Sequence, residues 1–78
     1  MLGNAALVRA LLAERLRLDV ADISLTADLF RDLGLAPLDL VLVALRVEDA
    51  LRVRCALSKL ERVRTVGELV AMLDEAAA

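Results

Sequence analysis

The sequence predicts an all-α domain: four helices of unequal length, with a long first loop and a short third helix. Of the 78 residues, 60% are apolar, while only 3 are glycine and 1 is proline. This composition favours helices, because alanine, leucine, arginine and glutamate are good helix formers. Apolar residues also recur at spacings of three and four, the pattern of helices with one buried face. No repeat or linker divides the chain, so a single domain over residues 1–78 is expected.

The first helix is predicted to begin after Asn4, a good N-terminal cap, and to end near Asp19. Residues 20–36 then form a long loop. This loop is too apolar to be a free linker, so we expect it to pack over the bundle with a short turn at 28–32. Gly34 supplies the positive φ that the chain needs before it enters the next helix.

The second helix is predicted to begin at Pro37, because proline is well tolerated at the first helical position, and to end at about Arg52. The stretch Ser58–Glu61 matches a capping box for a short third helix, and Thr65–Glu68 matches one for the fourth. The fourth helix is expected to end in a frayed tail, Ala76–Ala78.

The composition also argues against several classes of function. With no histidine and one cysteine, the sequence excludes zinc sites, histidine-based catalysis and an internal disulfide. Cys55 lies in an apolar pattern and is interpreted as a buried structural residue. The net charge of −2, without a basic stripe, argues against nucleic acid binding. No apolar stretch approaches the ~20 residues of a membrane span, and the N-terminus does not look like a signal peptide, so a cytoplasmic location is expected.

Four stretches of the chain together resemble the free-standing, type II acyl carrier proteins. They follow one another in the order and at the spacing of that family, and they cover nearly the whole sequence. The stretches are Val8–Leu16, Leu29–Gly34, Leu38–Val41 and Val63–Leu69. The resemblance implies a four-helix, acyl-carrier-protein-like bundle and a carrier-type protein that is not an enzyme.

The resemblance breaks at the residue that would carry the family's cofactor. The family reads Asp-Leu-Gly-x-Asp-Ser-Leu-Asp where this chain reads Asp-Leu-Gly-Leu-Ala-Pro-Leu-Asp, so Ala36 and Pro37 replace the aspartate and the modified serine. In the family, that serine bears phosphopantetheine, which carries acyl groups as thioesters. Neither Ala36 nor Pro37 can form the phosphoester. We therefore predict no attached cofactor at this degenerate attachment site, which also includes Gly34, Leu38 and Asp39.

Four other hydroxyl groups are the alternatives for attachment. Ser58 and Thr65 are interpreted as helix caps, and Ser24 and Thr26 as loop residues that bond the local backbone. A genuine acyl or aminoacyl carrier, modified at another hydroxyl or altered at the attachment site, remains the second hypothesis.

The outward face of the second helix is a further departure from the family. A helical wheel places one apolar arc in the core: Leu40, Val43, Ala44, Val47, Ala50 and Leu51. In the family the opposite face is usually acidic and docks onto basic patches of enzymes, but here Leu42 stands where glutamate is typical. We expect this apolar face to bind a partner. Its residues are Leu38, Val41, Leu42, Leu45, Arg46 and Asp49.

The sequence thus predicts a non-catalytic scaffold, regulator or interaction partner in a fatty acid or polyketide-type pathway. Its partner would be a biosynthetic enzyme or a second copy, which would give a homodimer. No enzymatic activity is expected, because no nucleophile–base pair is present. A third hypothesis, an unrelated helical module with an accidental resemblance, predicts a different helix order or no long ordered loop at 20–36.

Overall fold

Residues 4–77 are described by a computed structural model and contain four α-helices. In chain order these are α1 (Ala5–Leu16), α2 (Pro37–Leu51), α3 (Leu57–Leu60) and α4 (Val66–Ala77). A 3₁₀ helix at Val20–Asp22 lies in the loop between α1 and α2. The all-α bundle with a long first loop and a short third helix is therefore confirmed. Residues 1–3 and 78 of the expected single domain lie outside the described residues, and the single domain stays a prediction.

The core of the bundle is aliphatic and lies between α1, α2 and α4. Each fully buried Leu or Val side chain stabilises the fold by roughly 1.5–3 kcal/mol relative to an exposed one. Four of the six predicted core positions of α2 are buried, and Leu51 is half-buried. Ala50 is exposed, so its prediction is wrong: the groove between α1 and α2 is open there. The helical core residues are Val8, Leu12, Leu40, Val43, Ala44, Val47, Leu60, Val66, Leu69, Val70 and Leu73.

Helix α1 ends three residues before the predicted position. Arg17 adopts the left-handed conformation (φ 58°, ψ 43°) and donates its backbone N–H to the carbonyl of Ala13, which terminates the helix at Leu16. The predicted side-chain cap by Asn4 is also wrong. The backbone N–H and Nδ2 of Asn4 both donate to Oδ1 of Asp74, at 2.8 and 2.7 Å, so Asn4 ties α1 to α4 instead.

The long loop is ordered, as predicted, because it is held against the N-terminus of α4. Its buried side chains include Ile23, Leu29 and Leu35. The Leu29 N–H donates to the carbonyl of Arg64 (2.7 Å), and the Gly67 N–H donates to the carbonyl of Leu25 (2.8 Å). A Cβ on Gly67 would lie 3.0 Å from that carbonyl oxygen, tighter than an ordinary contact, so this close approach favours glycine.

The two predicted capping boxes have different outcomes. At α4 the prediction is confirmed: the Glu68 N–H donates to Oγ1 of Thr65 (3.1 Å), and the Thr65 N–H donates to Oε1 of Glu68 (3.2 Å). At α3 it is wrong, because the helix begins at Leu57 and Ser58 lies inside it. Helix α4 continues to Ala77 rather than fraying at Ala76, and Ala78 lies outside the described residues.

Candidate functional site

The position predicted to be a degenerate attachment site lies at the exposed N-terminus of α2. Pro37 is the first helical residue, as predicted, and Ala36 precedes it in an extended conformation (φ −85°, ψ 154°). Both residues are exposed to solvent. The position is thus accessible to another protein, but it offers no oxygen nucleophile.

The approach to α2 is set by a tight turn and by Gly34. The Gly34 N–H donates to the carbonyl of Phe30 (3.1 Å), and the Leu35 N–H donates to that of Leu29 (2.9 Å). Gly34 has the predicted positive φ, 71°, which glycine adopts without steric cost. Leu35 is then buried and anchors the chain just before Pro37. The role of Gly34 is therefore conformational: it allows the backbone to turn into α2.

Asp39 is engaged within the domain. Its Oδ1 accepts hydrogen bonds from Nε and Nη2 of Arg15, at 2.9 and 2.7 Å, and its Oδ2 accepts one from the N–H of Ala36 at 3.1 Å. The Arg15 guanidinium and the Ala36 N–H hold the pKa of Asp39 below its usual range. Asp39 therefore caps α2 and links its first turn to α1.

Five of the six predicted partner-binding residues are exposed, and Val41 is half-buried. Leu38, Leu42 and Leu45 are 67%, 36% and 52% exposed and form a row along α2, called here the α2 ridge. Asp49 is exposed next to this ridge, and Arg46 forms an exposed ion pair with Glu14 of α1 (3.0 Å). Val41 is half-buried and packs against the core.

A groove flanks each side of the α2 ridge. On the α1 side, a groove of about 630 Å³ is lined by Leu7, Leu11, Leu45, Arg46, Asp49 and Ala50. On the α3 side, a groove of about 540 Å³ begins at Pro37, and we call it the α2–α3 groove. Its apolar lining residues are Phe30, Pro37, Leu40, Val41, Leu57 and Leu60.

Sequence reasoning missed Leu57, which is 60% exposed at the rim of the α2–α3 groove. An apolar residue directly before a predicted N-cap is normally read as a hydrophobic staple that packs onto its own helix. Because α3 starts at Leu57 itself, that pattern does not apply. No signal in the sequence would have shown its exposure.

Three of the four alternative hydroxyl groups form local hydrogen bonds. Ser24 Oγ and Thr26 Oγ1 lie 2.9 Å apart, and Ser24 Oγ also accepts from the Thr26 N–H (3.2 Å). Thr65 Oγ1 caps α4. Ser58 is exposed within α3.

Cys55 is half-buried rather than fully buried, and it forms hydrogen bonds with Glu48. Its Sγ and its backbone N–H both donate to Oε2 of Glu48, at 3.0 and 2.8 Å. Burial and the Glu48 carboxylate raise the pKa of Cys55 to about 11. The thiol therefore stays protonated at neutral pH, which fits a structural residue.

Residues 6–73 match the family model described as the phosphopantetheine attachment site. The chain belongs to this acyl carrier protein family. An acyl carrier protein of Thermotoga maritima is 31% identical over 68 residues, which cover 87% of this chain and 84% of that protein. One from Helicobacter pylori is 26% identical over 68 residues, 87% of each chain.

An acyl carrier protein of Saccharopolyspora erythraea is 38% identical over 63 residues, 81% of this chain. Those residues span 66% of that relative, slightly under two thirds of its length. The resemblance inferred from the sequence is confirmed, and the hypothesis of an unrelated helical module is wrong. The relatives are named as carrier proteins rather than as enzymes, in agreement with the prediction that this family member is not an enzyme.

Among the described residues, no helix combines the length and apolarity that crossing a membrane requires.

Proposed function

We propose that this family member carries no phosphopantetheine arm and acts by binding an enzyme of a fatty acid or polyketide-type biosynthetic pathway. The observation that carries the proposal is Pro37 at the exposed first position of α2, where the family is expected to place its modified serine. A single domain and a cytoplasmic location are parts of the same proposal.

The surroundings of Pro37 support this proposal. In the family the modified serine is followed by leucine and aspartate, and this chain keeps both as Leu38 and Asp39. The Asp39 carboxylate, however, already accepts two hydrogen bonds from Arg15 and one from Ala36. These hydrogen bonds leave the Asp39 carboxylate fewer acceptor positions for a modifying enzyme.

The α2 ridge supports a protein partner. Leu38, Leu42 and Leu45 expose apolar surface where the family usually presents carboxylates. Burying one such side chain contributes roughly 1.5–3 kcal/mol at most, and these three are already partly buried. Association costs several kcal/mol, so the ridge alone supports only a weak complex, and a tighter one needs further contacts.

The intact mass of the protein tests the absence of the arm. The protein is incubated with coenzyme A and a promiscuous phosphopantetheinyl transferase, with the Thermotoga maritima acyl carrier protein as the positive control. We expect the control to gain one phosphopantetheine and this chain to keep its mass. A gain on this chain would contradict the proposal, and peptide mapping would then assign the modified hydroxyl among Ser24, Thr26, Ser58 and Thr65.

A further inference from the structure

Arginine side chains line two hollows beside the α2 ridge. Leu42 lines a hollow of about 290 Å³ on the α1 side, and Leu45 lines another at the C-terminal end of α2. Together the two hollows place five arginines next to the ridge, and all five are exposed to solvent. We call this set the arginine border. It consists of Arg15, Arg17, Arg46, Arg52 and Arg54.

The carboxylates among these arginines offset only part of the positive charge. Asp39 and Glu48 are half-buried and accept hydrogen bonds from inside the domain, so they offer a partner few free acceptor positions. Glu14 and Asp49 are exposed. Glu14 forms an ion pair with Arg46 at 3.0 Å, but the two side chains are 66% and 65% exposed, so the pair contributes little. A partner that covers the ridge therefore meets five exposed arginines and two exposed carboxylates.

We infer that the α2 ridge docks onto an apolar enzyme surface with an acidic border, whose carboxylates meet the arginine border. The inference rests on the proposed function, because it names the chemistry of the enzyme surface that covers the ridge. Among residues 4–77, Arg17, Arg52 and Arg54 form no ion pair within 4.0 Å. A partner carboxylate can therefore bind them without displacing one, and such charge-assisted hydrogen bonds add the contacts that the leucines alone lack. This polarity is opposite to the acidic-to-basic docking expected of the family.

The same features disfavour two other occupants. In a symmetric pair of copies that buries the ridge, each arginine border faces the border of the other copy, and like charges repel. An anionic membrane repels the domain as a whole, because the chain carries a net charge of −2. Leu42, in the middle of the ridge, is only 36% exposed, whereas membrane binding requires an apolar face that enters the lipid.

A titration followed by amide NMR shifts tests the inference on the full chain. The first probe is an amphipathic peptide of about 18 residues, long enough to form a helix, with leucines on one face and glutamates on the other. The second carries lysines in place of the glutamates, and vesicles with anionic lipid are the third. We expect both peptides to shift the amides of residues 38–46, and the acidic one to bind at least about tenfold more tightly at low salt. Because the net charge of the chain is −2, its overall charge cannot produce this preference.

A matched pair of double variants assigns the preference to the arginine border. Arg17→Gln with Arg52→Gln removes two of its charges, and we expect the affinity for the acidic peptide to fall at least about tenfold. Arg31→Gln with Arg62→Gln removes two exposed arginines outside both hollows and should leave that affinity unchanged. Thermal unfolding checks that both variants are folded.

The outcomes separate this inference from the proposed function. Equal or tighter binding of the lysine peptide, equal losses in the two double variants, or no binding of either peptide would each overturn the inference. Shifts of the ridge amides by vesicles but not by peptides would also overturn it, in favour of a membrane. The proposed function fails separately, if the variant Leu38→Gln with Leu45→Gln binds a carrier-dependent enzyme as tightly as the original chain.

Discussion

At the scale of single residues, the carboxylates near α2 are used inside the domain. Asp39 is held by Arg15 and Ala36, and Glu48 is held by the thiol and backbone of Cys55. Each carboxylate is ionised more readily than usual, because hydrogen bonds stabilise its charged form. These acids therefore fix the structure around α2.

The contribution of Asp39 to stability should depend on pH. Its pKa is lower in the folded chain than in the unfolded one, so its contribution is present above its unfolded pKa, near 3.8, and is lost as the pH falls through the lower folded value. We expect Asp39→Asn to lower the melting temperature at pH 6, with a difference that shrinks steadily below about pH 4. Asp49→Asn, at an exposed position of the same helix, is the control and should show no such trend. A pH-independent difference for Asp39→Asn would contradict this role.

Alkylation of the Cys55 thiol should be slow, and its rate should increase when the charge of Glu48 is removed. With a pKa of about 11, only about 0.1% of the thiol is ionised at pH 8. Glu48→Gln removes a negative charge and should lower this pKa. Each decrease of one unit in the pKa raises the thiolate fraction at pH 8 about tenfold. The rate of alkylation by iodoacetamide between pH 7 and 10 measures the effect. Asp49→Asn, which removes a nearby charge without contacting Cys55, should leave the profile unchanged.

At the scale of the elements, the N-terminus of α4 holds the long loop between α1 and α2 against the bundle. The Thr65–Glu68 capping box starts the helix. The backbone N–H groups of Val66 and Gly67 donate to the loop carbonyls of Ala27 and Leu25. Helix α3 has no such cap and is only four residues long. Of the two capping boxes predicted from the sequence, only Thr65–Glu68 is formed, so only this one is expected to contribute to stability.

Removing the real cap should destabilise the protein more than removing the apparent one. We expect Thr65→Ala to lower the free energy of unfolding by about 1 kcal/mol, since Oγ1 satisfies the Glu68 N–H. Ser58→Ala is the matched control and should change it by less than about 0.5 kcal/mol. Urea unfolding measures both. Equal losses would show that Ser58 caps α3 after all.

At the scale of the whole molecule, the α2 ridge adjoins the basic segment Arg52–Arg64, because Leu45 lines one hollow with Arg52 and Arg54. The α2 ridge is apolar, and the basic segment lies beyond it around α3. The two fully exposed ion pairs, Arg46–Glu14 and Lys59–Glu75, contribute little to the fold, so the aliphatic core provides most of the stability. The two surfaces can therefore be altered without unfolding the bundle.

The proposed function predicts that a bound enzyme covers the α2 ridge and that the chain alone is a monomer. Light scattering after size-exclusion chromatography should give the mass of one chain. The double variant Leu38→Gln with Leu45→Gln should weaken binding to a purified carrier-dependent enzyme at least about tenfold. Leu18→Gln with Leu25→Gln, at leucines 40% and 45% exposed away from α2, is the matched control. A homodimer that the ridge variant dissociates would favour a second copy as the partner.

Much of the fold was predictable because it depends on local pattern. The period of the apolar residues placed α1, α2 and α4, and proline and glycine marked the start of α2. The errors at Asn4, Ser58 and Ala50 have two kinds of cause. At Asn4 and Ala50 a distant contact, or the lack of one, overrides the local preference: Asp74 takes the Asn4 side chain, and no element covers Ala50. At Ser58 the error is local, because α3 starts one residue earlier at Leu57.

The sequence by itself determined the family, the all-α architecture and the absence of a nucleophile at Pro37, because these depend on residue identity and short-range spacing. Only the tertiary structure decided that Arg15 holds Asp39, that Leu57 is exposed and that an apolar groove lies beside a basic segment. These features join residues far apart in the chain. Their geometry depends on how the helices pack, which local periodicity does not encode.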